Sequence, residues 1–107
     1  MQYLSDDFAI GPQITAEELS ELKAQGIASV FCHRPDDEVA GQPSFEDLKA
    51  HALSVGLKMY HLPVSPGNVT DADVDAFRAL YQTAPKPILG YCKGGDRAKV
   101  LWERSQS

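Results

Sequence analysis

The chain alternates helix signals with short apolar segments, and this alternation constrains its fold more than any other feature of the sequence. Each helix signal is a threonine or serine followed three residues later by an acidic residue, which is the pattern of an N-terminal capping box. The three signals begin at Thr15, Ser44 and Thr70. A glycine or a proline follows each helical stretch, where a helix has to end. The pattern predicts helices over residues 16–25, 45–55 and 71–83.

Short apolar segments with β-branched and aromatic residues separate these helices and predict strands over residues 27–32, 58–63 and 88–91. Residues 98–104 resume a helical pattern after the last strand. Strands that alternate with helices pair in parallel through right-handed crossovers. The sequence therefore predicts a three-layer α/β/α fold with a mostly parallel central sheet. A chain of 107 residues is large enough for one core, so a single domain is expected over residues 1–107.

The loop after the last predicted strand carries the residues best suited to chemistry. Its sequence is Tyr91-Cys92-Lys93-Gly94-Gly95-Asp96-Arg97. The adjacent glycines let the backbone turn its N–H groups inward without steric cost, so the loop predicts an anion-binding nest. The N-terminus of the next helix favours both a bound anion and a thiolate at Cys92, and Arg97 offers a planar two-pronged donor to an oxyanion. These groups predict a Cys92 nucleophile that attacks an anionic phosphorus or sulfur centre.

The candidate catalytic residues are thus Cys92 and Arg97, and the candidate anion-binding loop comprises Lys93, Gly94, Gly95 and Asp96. Ligands of parallel sheets bind at the carboxyl ends of the strands, where this loop is expected. Arg34 follows another predicted strand at the same edge, and we expect it to shape the anion pocket. The alternative is that Cys92 only fills the end of a buried strand, that the glycines form an ordinary turn and that Arg97 is solvated.

Charge and composition exclude several classes of protein. A formal net charge of -5 with scattered basic residues argues against a nucleic-acid-binding protein. No apolar stretch approaches the ~20 residues that cross a bilayer, and no secretory signal is visible, so a cytoplasmic location without membrane contact is expected. Cys32 and Cys92 are predicted to be free thiols in a reducing compartment. The spacing of histidines and cysteines fits no metal site, and no cofactor is expected.

Three stretches of the chain carry a resemblance to a known family. They are Ile10-Gly11-Pro12-Gln13-Ile14-Thr15; His33-Arg34-Pro35-Asp36 with Gly41-Gln42-Pro43-Ser44; and Pro63-Val64 through Asp73-Val74-Asp75-Ala76-Phe77, closing on the loop that ends at Arg97. On these residues the chain resembles the beta-lactamase-hydrolase-like phosphatase family, a bacterial branch of the tyrosine and dual-specificity phosphatases. The resemblance implies a tyrosine/dual-specificity phosphatase-like fold, a Cys92 nucleophile, an oxyanion-binding Arg97 and a small anionic or phosphorylated substrate.

The loop departs from the tyrosine phosphatase pattern in ways that bear on the reaction. Those phosphatases place five residues between cysteine and arginine, whereas four residues separate Cys92 from Arg97. Four residues are typical of rhodanese-type sulfurtransferases, which carry a persulfide on the cysteine. Tyr91 stands in place of a histidine, and Ala98 stands where phosphatases usually have a serine or threonine that helps to expel the thiolate.

Acidic residues around the loop raise a second set of questions. A phosphatase needs a general acid, and the segment Ser65-Pro66-Gly67-Asn68 contains none. By analogy, Asp36 is the nearest candidate for the general acid. It is also a candidate, with Arg34, for a residue that supports the anion pocket from behind. A carboxylate at Asp96 would repel an anionic substrate unless it points outward, and its position also allows it to cap the last helix.

The residues leave three functions open. The first is a phosphatase-like hydrolase, and the second is a sulfurtransferase in which Cys92 takes sulfur from a sulfane-sulfur donor and passes it to a thiol acceptor. The third is a catalytically weak module that binds an anion or a phosphorylated protein. A further hypothesis is a homodimer, because a short last helix bearing Leu101 and Trp102 would leave apolar surface for a partner copy to cover.

Overall fold

A five-stranded sheet organises the protein, whose computed structural model describes residues 1–107. The strands are β1 (Gln2–Tyr3), β2 (Phe8–Gly11), β3 (Ser29–Cys32), β4 (Lys58–His61) and β5 (Ile88–Tyr91). The helices are α1 (Ala16–Ala24), α2 (Phe45–Ser54), α3 (Asp71–Thr83) and α4 (Asp96–Ser105). The strand order is β1-β2-β5-β3-β4, with β1 antiparallel to β2 and every other pair parallel. Cys92 follows the central strand β5 directly.

Two hydrophobic cores lie on opposite faces of this sheet. Helices α1 and α2 pack together over one face, and α3 and α4 pack together over the other. Successive side chains of a strand point to opposite faces, and in β3 Val30 belongs to the first core while Phe31 belongs to the second. The predicted three-layer α/β/α fold with a mostly parallel sheet is therefore confirmed. No helix is both long and apolar enough to cross a lipid bilayer.

The predicted helices agree with the structure except at the last one. Thr70 caps α3 as expected, since its hydroxyl accepts a hydrogen bond from Asp73 N at 3.1 Å and the Asp73 carboxylate accepts one from Thr70 N at 3.0 Å. Helix α4 begins at Asp96, two residues before the predicted start. Gly95 takes the N-cap position in the left-handed conformation (φ 99°), which turns the loop directly into the helix. The sequence allowed Asp96 to cap this helix, but Asp96 is its first helical residue.

The two apolar side chains of α4 that suggested a homodimer both pack within the chain. Leu101 has an exposed fraction of 0% and belongs to the second core. Trp102 is half-buried and stacks on Phe8 with a ring centroid separation of 5.1 Å. Phe8 lies in β2, a strand that the sequence pattern did not predict, so the partner of Trp102 comes from the same chain.

Gly90 lies on β5 where the second core leaves no room for a side chain. A Cβ atom at this position would lie 2.7 Å from the tip of the Phe8 ring and 3.2 Å from His33 Nε2. Phe8 cannot withdraw easily, because its ring stacks on Trp102 and meets Phe77 edge to face at 5.4 Å. Replacing Gly90 with alanine is therefore expected to lower the free energy of unfolding by about 2 kcal/mol through overpacking.

Chemical denaturation of the Gly90→Ala variant measures this effect. Gly11→Ala is a matched control, because Gly11 lies on the neighbouring strand β2 and a Cβ there would meet Leu89 at an ordinary 3.7 Å. We expect the control to keep the unfolding midpoint of the wild type. Equal midpoints for the two variants would show that the core around Phe8 can rearrange.

Candidate active site

The loop between β5 and α4 lies at the carboxyl edge of the parallel strands, as the sequence predicted. Gly95 closes the loop against the neighbouring strand, and a Cβ atom added to it would lie 3.5 Å from the Gly11 carbonyl group. The left-handed Gly95 directs its backbone N–H towards Cys92. The glycine pair therefore forms more than an ordinary turn, because one of its amides contacts the candidate nucleophile.

Cys92 is buried, with an exposed fraction of 1%, and its thiol is free. Its Sγ accepts a hydrogen bond from Gly95 N at 3.1 Å. An N–H donor to sulfur stabilises a thiolate, and the positive end of the α4 dipole acts in the same direction. The sulfur thus lies at the N-terminus of α4, within hydrogen-bond distance of a backbone N–H donor. Cys32, the second free thiol, is buried in the first core, where its Sγ donates to Arg34 O at 3.3 Å.

A cavity of about 460 Å³ opens beside the sulfur. Its lining consists of Pro66, Gly67, Cys92, Lys93, Gly94, Asp96 and Arg97. The structure therefore brings the predicted loop residues and both predicted catalytic residues to one cavity, with Gly95 behind it. Lys93 and Asp96 are both exposed, and Asp96 is the only carboxyl group among the lining residues.

Arg97 is buried and held on one side by protein acceptors. Its Nη1 donates to Glu38 Oε2 at 2.7 Å and to Val64 O at 2.9 Å, and its Nη2 donates to Glu38 Oε1 at 3.0 Å. The Glu38 carboxylate and, more weakly, the Cys92 sulfur raise the pKa of Arg97. The alternative that Arg97 is simply solvated is therefore wrong, since its exposed fraction is 7%.

Glu38 connects Arg97 to Arg34, the residue expected to shape the pocket. Arg34 has an exposed fraction of 3%, and its Nε donates to Glu38 Oε1 at 2.8 Å while its Nη1 donates to Gln13 Oε1 at 3.0 Å. The guanidinium groups of Arg97 and Arg34 lower the pKa of the Glu38 carboxyl to about 2. Arg34 and Arg97 thus both donate hydrogen bonds to the same carboxylate. Sequence reasoning missed Glu38, because nothing distinguishes it from other acidic residues of a polar loop.

Asp36 does not join this site. Its Oδ1 accepts a hydrogen bond from Phe45 N at 2.9 Å, which places it at the N-terminus of α2, and it is not among the residues that line the cavity. His33 lies behind the loop with an exposed fraction of 0%. Burial lowers the pKa of His33 to about 4, and its Nδ1 lies 3.1 Å from Leu62 O. Neither side chain offers the cavity an acid or a base.

The sequence matches a known domain along its whole length. The model of the phosphatase-like domain of beta-lactamase hydrolase-like protein matches residues 1–107. A beta-lactamase hydrolase-like protein from Agrobacterium fabrum is 34% identical over 99 residues, which are 92% of this chain and 23% of that protein. The chain therefore spans about a quarter of the length of the curated relatives that it matches.

Solved structures share the fold. The crystal structure of a candidate phosphatase from Neisseria meningitidis is 33% identical and superposes with a TM-score of 0.88, covering 94% of this chain and 72% of that one. TpbA from P. aeruginosa, in a cysteine-to-serine variant bound to phosphotyrosine, is 20% identical with a TM-score of 0.69, covering 92% of this chain and 56% of that one. The expected tyrosine/dual-specificity phosphatase-like fold is therefore confirmed.

Proposed function

Since the chain belongs to the phosphatase-like domain family of beta-lactamase hydrolase-like proteins, we propose that it hydrolyses phosphate monoesters through Cys92. The observation that carries this proposal is the buried Cys92 sulfur, which accepts the Gly95 N–H at 3.1 Å and lines one cavity with Arg97. A nucleophile and an oxyanion donor in one small cavity are what phosphoryl transfer needs.

In the proposed reaction, the Cys92 thiolate attacks phosphorus and the ester P–O bond breaks, which leaves a phosphocysteine and an alcohol whose oxygen takes a proton from solvent. Arg97 and the backbone N–H groups at the start of α4 hold the phosphoryl oxygens. Water then attacks phosphorus and gives up a proton to solvent, the S–P bond breaks, inorganic phosphate leaves and the thiolate returns. Because Asp96 is the only carboxyl group in the lining and lies within the anion loop, we expect aryl phosphates, whose leaving groups need little protonation, to react faster than alkyl phosphates.

The phosphotyrosine bound to TpbA supports an aryl phosphate as the substrate class. A phenyl phosphate presents the same doubly charged group to Arg97 and a leaving group of low basicity. The cavity lining includes the small residues Pro66, Gly67 and Gly94, which leave room for such a ring. We therefore propose small phosphorylated molecules as substrates, with an aryl ester as the preferred probe.

A second candidate function rests on the length of the loop. Only four residues separate Cys92 from Arg97, and the Gly95 N–H already reaches the sulfur. A persulfide is a smaller anion than a phosphoryl group, and its formation needs no acid to protonate a leaving oxygen. In that reaction the thiolate attacks the sulfane sulfur of thiosulfate, the S–S bond breaks and sulfite leaves. A thiol or cyanide then removes the outer sulfur and restores the Cys92 thiolate.

Paired assays on the full chain distinguish these functions. One assay follows phosphate release from p-nitrophenyl phosphate, and the other follows thiocyanate formation from thiosulfate and cyanide. Phosphate release by the wild type that the Cys92→Ala variant lacks would support the hydrolase. Thiocyanate formation with the same dependence on Cys92 would replace it with sulfur transfer. Turnover of neither substrate would overturn both reactions and leave a module that binds anions.

A further inference from the structure

Two oppositely charged side chains, Lys93 and Asp96, lie in the wall of the cavity beside Cys92. We propose that Asp96 is a specificity-determining residue that binds a positively charged group of the substrate. The substrate class that follows is a phosphate monoester with an ammonium group close to its ester. The inference rests on the proposed function, because it names a substrate class for the same cavity.

Asp96 lies on the solvent side of this cavity. It is the first residue of α4, between the left-handed Gly95 and the buried Arg97. Asp96 is exposed, whereas the Cys92 sulfur and the Arg97 guanidinium, which line the same cavity, belong to buried residues. A substrate whose phosphoryl group contacts the sulfur therefore directs its leaving group towards the solvent side, where the carboxylate lies.

The protein itself does not use the Asp96 carboxylate. In comparison, Glu18 at the start of α1 and Asp73 at the start of α3 each accept a hydrogen bond at 3.0 Å from the backbone N–H of the N-cap residue. The Asp96 side chain accepts no such bond and joins none of the ion pairs of the protein, and the Lys93 side chain is equally unpaired. Both charges are therefore available to a ligand.

Stabilisation of the helix alone is a weaker explanation for Asp96. A carboxylate in the first turn does interact favourably with the helix dipole. The same helix end, however, is where the proposed function binds a phosphoryl group, and a carboxylate there repels that group. The repulsion is offset when the substrate carries a cation that pairs with the carboxylate.

The charges around the sulfur favour the same substrate class. Arg97 and Lys93 are positive, whereas Asp96 and Glu38, the ion-pair partner of Arg97, are negative. These charges cancel, so the site has no excess of positive charge to attract a phosphate dianion. A substrate that brings its own positive charge has a smaller net negative charge and gains an attraction to Asp96.

Two aryl phosphates test this inference on the full chain. They are 4-(aminomethyl)phenyl phosphate, which carries an ammonium group, and its N-acetyl derivative, which has the same ring and ester without that charge. We expect Asp96→Asn to lower the ratio of kcat/KM for the cationic substrate to kcat/KM for the neutral one about fivefold, the effect of an exposed ion pair. The neutral substrate should react at least as fast as with the wild type, because a repulsive charge is gone.

An unchanged ratio in Asp96→Asn would overturn the proposal. An equal fall in kcat/KM for both substrates would also overturn it, because that result indicates a general acid or a structural role. Added salt gives a second readout, since screening weakens an exposed ion pair. Salt should lower the substrate ratio more in the wild type than in Asp96→Asn, and an equal decrease in the two proteins would contradict the role of Asp96.

Asp47→Asn is the matched control. Asp47 is also an exposed aspartate in the first turn of a helix, α2, and its side chain joins no ion pair and does not line the cavity. The substitution removes the same charge from an equivalent position elsewhere. We expect this variant to keep the wild-type ratio.

Modification of Cys92 separates a failure of this inference from a failure of the proposed function. A thiolate attacks the sulfenyl sulfur of an alkyl methanethiosulfonate, the S–S bond breaks and methanesulfinate leaves. We expect Asp96→Asn to lower the rate ratio of the cationic 2-aminoethyl reagent to the neutral methyl reagent about fivefold, with mass spectrometry distinguishing Cys92 from Cys32. A protein inactive on phosphates with a reagent ratio sensitive to Asp96 would overturn the proposed function alone. Turnover with a substrate ratio insensitive to Asp96 would overturn only the role of Asp96.

Discussion

Replacing Cys92 with serine is expected to lower turnover of whichever substrate the protein accepts by about a thousandfold or more, because the attacking atom itself is changed. The Gly95 N–H and the N-terminus of α4 face the Cys92 sulfur, and a serine hydroxyl at the same place is a far weaker nucleophile than a cysteine near neutral pH. The change is small in volume, so the loop and the buried strand end should keep their structure. Steady-state rates, together with the unfolding midpoint, measure the effect.

Cys32→Ser is the control for this experiment, because Cys32 is the other buried free thiol. Its Sγ donates to Arg34 O, a hydrogen bond that a serine hydroxyl can also make. We expect that variant to retain wild-type turnover. Substantial activity in Cys92→Ser, or an equal loss in both variants, would rule out Cys92 as the nucleophile.

Arg97→Lys is expected to lower kcat/KM for an anionic substrate by about 10²–10³-fold, which is the cost of losing a preorganised donor to a developing oxyanion. Lysine keeps the positive charge but has no planar fork, so it cannot bind Glu38 and an oxyanion bidentately at the same time. It also leaves the Val64 carbonyl without its present donor, which lies at 2.9 Å. Measurement of kcat and KM separately shows whether the loss falls on binding or on the chemical step.

Arg78→Lys is the control for Arg97→Lys, because it makes the same substitution away from the candidate active site. Arg78 also uses several donors, to Ser105 O at 3.1 Å and Arg104 O at 3.1 Å, but it lies on α3 and contacts the end of α4 that is far from Cys92. We expect this variant to lose some stability and no catalytic efficiency. A kcat/KM near the wild-type value for Arg97→Lys would mean that charge alone, without the fork, supports the reaction.

Much of the fold followed from local chemistry. Thr15, Ser44 and Thr70 are caps whose hydrogen bonds lie within a few residues, so the helices that they begin were predicted almost to the residue. Strands β1 and β2 were not predicted, because β1 has only two residues and β2 precedes the first helix signal, so that no alternation of helices and strands marks it. The early start of α4 depends on the φ of Gly95, which a sequence permits but does not reveal.

The candidate site was predictable only where its residues are consecutive. Cys92 and Arg97 belong to one loop, and the spacing and glycines of that loop identified them. Glu38 is 59 residues from Arg97 along the chain, and only the packing of the β3–α2 loop against α4 brings the two together. Asp36 was a candidate for the general acid by analogy. Its carboxylate instead accepts a hydrogen bond from an N–H group at the start of α2, where the first N–H groups of a helix have no partner within the helix.

The position of β5 in the sheet also affects how readily the backbone next to the candidate active site opens to solvent. Strand β5 pairs with β2 on one side and β3 on the other, whereas β1 and β4 form the edges. Amide protons of a strand bonded on both sides exchange with solvent mainly through global opening, while edges and loops exchange through local fluctuations. Cys92 directly follows one of the interior strands, so we expect the backbone just before the nucleophile to resist local opening.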